Sequence, residues 1–215
     1  MSVLPYCILL HDSTTSIPET GVLTSRIHRI TEGDLLAMYS ELSRSEISPQ
    51  KFQSSALEFH RVVHAIFDEC AVVPFRFPTW LTPPELSEHL HQESKRYTTF
   101  LTTYANDVQM EVRLKLAISS PTSAATGTAH LRARAAKSRE LRDTAEDLKE
   151  QLSSEVIEWR ECDTPDGLRI YALVGRANIP AFRERLSKRA HNISMRWSGP
   201  WPATEFLESP RRSES

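Results

Sequence analysis

Val3 to Leu10 is a short apolar run closed by the polar His11-Asp12-Ser13, which predicts a buried strand. A loop rich in Ser, Thr and Pro follows. Val22 to Ile30 and Leu35 to Leu42 then read as a strand pair around Thr31-Glu32-Gly33-Asp34, where glycine accepts a positive φ. Asp34, a good N-cap, would equally start a short helix in the second segment. Ser48-Pro49 combines a capping serine with proline at a first helical position. The helix it predicts carries Phe52, Ala56, Phe59, Val63, Ile66, Phe67 and Cys70 at steps of three and four, one face packed on a sheet. Ala71 to Phe77 is a β-rich run broken by Pro74, which cannot donate to a ladder and so belongs at an edge or a bulge. Thr82-Pro83-Pro84-Glu85 repeats the cap-and-proline pattern, and its helix runs to about Tyr104 with the stripe Leu86, Leu90, Tyr97, Phe100, Leu101.

The second half opens on a strict alternation. Val108, Met110, Val112, Leu114, Leu116 and Ile118 interleave with Gln109, Glu111, Arg113, Lys115 and Ala117, predicting a strand with one buried and one wet face. A loop from Ser119 to Thr128 leads into a long charged helix ending near Ser154. Val156 to Cys162 and Leu168 to Val174 form a predicted hairpin around the five-residue turn Asp163 to Gly167. A helix over Ile179–Ala190 and a strand over Asn192–Trp197 complete the order βαββαβ, that of ferredoxin-like domains. The fold class is therefore α+β with two small domains: residues 1–104, ending in a connecting helix, and residues 105–206 with the long charged helix. The tail 207–215 is too polar to pack and is expected to be disordered.

Length and composition agree with this picture. The 215 residues suit two domains of ordinary size, and 40% hydrophobic with 25% charged residues can build real cores. A net charge of −2 offers no global field for nucleic acid. Cys7, Cys70 and Cys162 form no C-x-x-C pair and read as buried, reduced thiols. The N-terminus lacks a basic n-region, and no run of about 18 apolar residues occurs, so neither a signal peptide nor a membrane span is expected. The expected place is the cytoplasm.

Candidate chemistry is sparse. His60 and His64 stand one helical turn apart, but the zincin pattern H-E-x-x-H needs a glutamate where this chain has Arg61. Packed histidines at the edge of the apolar stripe explain the pair better than a metal does. His89 and His91 point to different faces. There is no glycine-rich phosphate cradle and no nucleophile elbow among six glycines. No catalytic residue, cofactor or metal is expected. Tyr171, Trp159 and Trp197 could stack bases in a regulatory or RNA-binding ferredoxin-like module, the alternative reading, but no basic-aromatic run accompanies them.

The long helix is polarised. Leu131, Arg134, Ser138, Leu141, Ala145, Leu148 and Leu152 make a thin seam. Arg132, Arg134, Lys137, Arg139 and Arg142 come first, and Asp143, Glu146, Asp147 and Glu150 follow. This order opposes the helix dipole, which favours acids first. Two readings stay open: a face packed on its own sheet, or a charged face, with Arg132 and Arg139, that meets a partner.

Two segments resemble a known family. Val72-Val73-Pro74-Phe75-Arg76-Phe77-Pro78-Thr79-Trp80 is similar to the V-L-P-V-R-F-G-T strand of the gas vesicle GvpL/GvpF family, with Pro78 in place of glycine. Ser198-Gly199-Pro200-Trp201-Pro202-Ala203-Thr204-Glu205-Phe206 resembles that family's C-terminal T-G-P-W-P-P-Y-S-F, with Ala203-Thr204 in place of Pro-Tyr. Gly127 to Leu131 matches the start of the family's charged helix less closely. The resemblance implies a non-enzymatic accessory protein of gas vesicle assembly that binds the small hydrophobic shell protein and other accessory proteins, in the cytoplasm and on vesicles. It also implies an N-terminal modified ferredoxin-like domain before the C-terminal α+β domain. Structural or partner-binding candidates are Arg76, Trp80, Gly199, Pro200, Trp201, Pro202 and Phe206. Arg76 is expected to turn inward in an ion pair holding the domains together. Pro200 and Pro202 are expected to make a stiff loop around Trp201, which either plugs a domain with Phe206 or meets a partner.

Overall fold

The computed structural model describes residues 2–13, 16–115, 127–165, 167–188 and 194–207, with backbone alone at 127–134 and 137. The chain divides into two compact units, Met1–Asn106 and Asp107–Ser215. Each is an antiparallel four-stranded sheet with helices, so the fold is α+β.

The first unit comprises β1 (Val3–Leu10), β2 (Ile27–Glu32), β3 (Leu35–Glu41), α1 (Phe52–Phe67), β4 (Val73–Pro74) and α2 (Pro83–Thr103), with strand order β2-β3-β1-β4. β1 is apolar without alternation because it lies between β3 and β4 and is buried from Val3 to Leu9. Where a ferredoxin-like unit has its first helix, this one has an irregular segment fastened by the Glu58 and Glu69 carboxylates, which accept from Leu23 N and Ser16 N, and by the phenol of Tyr6. Tyr6 Oη accepts from Val22 N at 2.9 Å and donates to Ser40 Oγ at 2.9 Å, and Ser40 Oγ donates to the Arg26 carbonyl.

Three expectations change here. β2 begins at Ile27, because Val22–Thr24 makes a 3-10 turn with Val22 fully buried. The segment after Asp34 is strand throughout, paired to β1 and β2, so the helical alternative fails. α1 starts at Phe52; Ser48 and Pro49 instead form a preceding turn in which the Ser48 carbonyl accepts from Lys51 N at 2.9 Å. At α2 the same pattern does cap the helix. Thr82 Oγ1 accepts from Glu85 N, and Glu85 Oε2 accepts from Thr82 N at 2.7 Å, a complete capping box.

The second unit comprises β5 (Asp107–Lys115), α3 (Gly127–Gln151), β6 (Val156–Thr164), β7 (Gly167–Gly175), α4 (Ile179–Ser187) and β8 (Ser194–Trp201). Strand order β6-β7-β5-β8 is the ferredoxin-like arrangement. One sheet face carries Val108, Met110, Val112 and Leu114, opposite Val174, Ala172, Ile170 and Leu168. Leu141, Ala145, Leu148 and Leu152 of α3 are buried in this unit, as are Phe182 and Leu186 of α4. The seam of the long helix thus packs on its own sheet, while Ser138 is exposed and 131 and 134 lie outside the described side chains. Lys149 reinforces the contact with ion pairs to Glu161 of β6 and to Glu146 at 2.8 Å. Burial works against its charge, but those two carboxylates outweigh burial and raise its pKa.

The other face of β5 is not simply wet. Gln109 and Glu111 are both buried, 6% and 8% exposed, because the chain after β8 returns across this face and because arginines flank Glu111. The hairpin is also tighter than expected. Thr164 pairs with Gly167, leaving only residues 165–166 between the strands. Of the thiols, Cys7 alone is buried; Cys70 is half-buried and Cys162 exposed. Positions 116–118, the loop to residue 126 and the tail from 208 lie outside the described residues.

Candidate functional site

Both segments singled out in the sequence are anchored by backbone, then by side chains. In the first unit, β4 pairs with β1 through only Val73 and Pro74, at the sheet edge where proline is tolerated. The chain then leaves the ladder and rejoins it at Leu81, whose carbonyl accepts from Val3 N at 2.7 Å. Residues 76–80 form the excursion. The Thr79 hydroxyl donates to the Arg76 carbonyl. Phe77 turns in against Phe52 and Phe59, ring centroids 5.4 and 5.2 Å apart. Arg76 is exposed rather than turned inward, and Trp80 is half-buried.

Beside this excursion lies a pocket of about 320 Å³. Val73, Phe75 and Arg76 form one wall, and His89 and Tyr97 of α2 another. The two α2 side chains are eight residues apart, two turns, and meet through a 3.1 Å bond between His89 Nε2 and Tyr97 Oη. Burial, then the nearby Glu93 carboxylate, raises the Tyr97 pKa, so the phenol stays protonated. His91 turns away to Glu32, with Nδ1 3.4 Å from Oε1.

In the second unit the Gly-Pro-Trp-Pro segment is not a loop. β8 continues through it to Trp201, with a register shift opposite Gln109–Glu111. Gly199 sits at φ +122 with its α-carbon against β5; an added Cβ would lie 2.9 Å from both the Gln109 carbonyl oxygen and Met110 Sδ. Arg183 of α4 donates to the Gly199 carbonyl at 2.7 Å and lays its guanidinium over Trp197 at 5.6 Å. Trp201 is half-buried, and its indole donates to Ser198 Oγ at 3.2 Å. Beyond Pro202 the chain turns under the sheet. Glu205 N donates to Gln109 Oε1 at 3.1 Å, Arg160 donates to the Glu205 carbonyl, and the Arg160 guanidinium stands 4.7 Å above the Phe206 ring. Phe206 is fully buried. Arg160, Arg183 and Gln109 hold this segment, and no local pattern in the sequence marked them.

The other candidates separate. Arg139 is exposed on α3, and the side chain of Arg132 lies outside the described residues. The His60 and His64 rings meet tilted by 40° with centroids 4.4 Å apart, but among the described residues no three metal-binding side chains gather. Burial, then the neighbouring His64, lowers the His60 pKa from its ordinary 6.5. A histidine depressed in the folded state contributes stability above its unfolded pKa that is lost as pH falls through the folded value. Urea unfolding should therefore show stability falling below pH 6.5, and His60→Gln should flatten that fall; an unchanged pH profile in the variant would remove His60 from the account. Tyr171, Trp159 and Trp197 do not share a surface. Trp159 and Trp197 lie by register with Ala172 and Val112 on the helix side, and Tyr171 lies opposite Glu111 on the other. No helix among the described residues is long and apolar enough to cross a membrane.

Two ferredoxin-like units in series, the first with its leading helix replaced by an irregular segment, define the class of protein. The model of the family "Gas vesicle synthesis protein GvpL/GvpF" matches residues 3–124 and 118–208, and the chain belongs to that family. Membership supports a role in gas vesicle assembly, and the family's structural, accessory character fits a protein without catalysis. The structure is similar to the crystal structure of the gas vesicle protein GvpF from Anabaena sp. PCC7120, at 13% identity and TM-score 0.75, with 97% of each chain covered. It is similar also to GvpF from Microcystis aeruginosa, at 12% identity and TM-score 0.77, with 97% of this chain and 99% of that one covered. No curated protein sequence matches the chain.

Proposed function

We propose that this protein is a non-enzymatic accessory factor of gas vesicle assembly that binds the small hydrophobic shell protein and other accessory proteins in the cytoplasm. The observation that carries this reading is the family match along nearly the whole chain, both units included. The half-exposed rings of Trp80 and Trp201 support it, since a large ring held by a fixed backbone suits an apolar partner. Arg76, exposed beside the pocket, is the charged residue nearest to Trp80 in the chain. In this reading Gly199, Pro200 and Pro202 set the position of Trp201, and Phe206 anchors the segment from below.

Co-expression with the gas vesicle shell protein of the source organism, followed by affinity capture, tests the proposal. The wild type should retain the shell protein, and the double variant Trp80→Ala, Trp201→Ala should retain several-fold less while unfolding at a similar urea concentration. Deleting the gene should abolish or deform vesicles. Normal vesicles after deletion, together with no capture of any vesicle protein, would refute it.

A further inference from the structure

The face of the second sheet turned away from α3 and α4 carries an unusual row. Arg113 on β5 lies directly opposite Arg169 on β7 and directly opposite Arg196 on β8. Three guanidinium side chains thus stand abreast on adjacent strands, which are about 4.8 Å apart. Like charges directly opposite one another weaken a sheet, so strand pairing by itself disfavours this arrangement.

A single carboxylate supports the row from below. Glu111 Oε1 lies 2.6 Å from Arg113 Nε and 3.0 Å from Arg169 Nε, and its side chain is 11% exposed. Its charge is shared between two cations and turned into the sheet. Arg169 is steadied further by its bond to Tyr171 Oη at 3.3 Å. Arg113 and Arg196 remain exposed, and among the described residues Arg196 has no carboxylate partner. Arg160, on the neighbouring strand β6, is already engaged by Glu158 and the Glu205 carbonyl. The result is a fixed, under-neutralised cationic strip on a chain whose net charge is −2.

We infer that the Arg169–Arg113–Arg196 row is a docking site for an acidic protein segment, whose carboxylates meet the guanidinium forks. Planar forks favour carboxylates in paired geometry, and rigid strands hold them ready without ordering long side chains from scratch. Nucleic acid is the poorer occupant. Base stacking needs exposed rings on the same face. Here Tyr171 is only 7% exposed, Trp159 and Trp197 belong to the helix side, and Trp201, opposite Gln109, is half-buried with its indole bonded to Ser198. The inference stands on register and charge, and it holds whether or not the shell protein is the partner of Trp80 and Trp201.

The test uses the full chain and a fluorescent oligoglutamate of about 15 residues, with a polyuridine of equal charge as comparator. Fluorescence anisotropy should show the oligoglutamate binding at low salt and weakening as salt rises, since exposed pairs are screened over about 10 Å at 0.1 M. Arg196→Glu should weaken it by about fivefold or more, as reversing one charge of a complementary patch does. Arg61→Glu, on α1 of the first unit, should leave it unchanged. Thermal unfolding of Arg196→Glu checks that the exposed substitution keeps the fold. The inference is overturned by absence of oligoglutamate binding, by equal loss in both variants, or by tighter binding of polyuridine. Self-association in sedimentation that Arg196→Glu abolishes, without oligoglutamate binding, would likewise overturn it and make a second copy the occupant.

Discussion

Replacing Phe206 with alanine should lower the stability of the second unit by about 3–5 kcal/mol, the range for removing a buried aromatic ring. The ring is fully buried beneath the sheet and capped by the Arg160 guanidinium at 4.7 Å. Its loss opens a cavity and also frees the segment whose backbone bonds to Gln109 and Arg160. Gln109 is 6% exposed, so losing the bond from Glu205 N leaves a buried amide oxygen short of a donor. Phe206→Leu, which fills most of the space, should lose much less. Three of the four tryptophans, Trp159, Trp197 and Trp201, lie in this unit, so their fluorescence in urea reports its unfolding. A loss below about 1 kcal/mol would show residues 202–207 to be a dispensable flap.

Gly199→Ala comes next in expected size. The residue holds φ +122, which an L side chain rarely adopts, and a Cβ there meets the Gln109 carbonyl oxygen at 2.9 Å. Backbone strain of about 1–3 kcal/mol adds to overpacking of about 1–3 kcal/mol, because the obstructing carbonyl belongs to the central strand and cannot step aside. The comparison is Gly33→Ala. That glycine is also at positive φ, +57, but has nothing within 4 Å of the added carbon. It should cost about 1–2 kcal/mol, the left-handed penalty alone. Equal losses at the two positions, measured by urea midpoint, would show that close packing of β8 on β5 is not what demands glycine.

Much of the architecture was legible from periodicity. The unbroken apolar run of β1, the alternation of β5 and the cap at Thr82 are local signals, each arising from a repeat of two or 3.6 residues or from one turn of backbone hydrogen bonds. The failures share a cause. Ser48-Pro49 makes a turn before the helix rather than its first residues, because a cap pattern states that a helix is near without stating which carbonyl the next N–H will take. Gly199-Pro200-Trp201 reads as a loop by composition, yet β5 offers it an edge, and pairing with that edge makes it strand. Gln109 and Glu111 read as wet by alternation and are covered by a segment about 95 residues away in the chain, near Glu205.

The candidate site divides the same way. Residue types and their order in Phe75-Arg76-Phe77 and Gly199-Pro200-Trp201 marked two segments for proposal, because rigid backbone and large rings are readable one residue at a time. Which of those residues face out was not readable. Arg76 is exposed because the excursion between Pro74 and Leu81 throws it clear of the sheet, and that depends on β1 holding both ends, through Tyr6 at Phe75 and Val3 at Leu81. The arginine row is a sharper case. Arg113, Arg169 and Arg196 lie up to 83 positions apart and carry no common pattern. By itself the sequence determined the number of units, the βαββαβ order and most element bounds, since local periodicity and chain order are properties of the sequence. Only the tertiary structure decided the strand register, the burial of Phe206 and the alignment of three cations, because register is chosen by contacts between residues far apart in the chain.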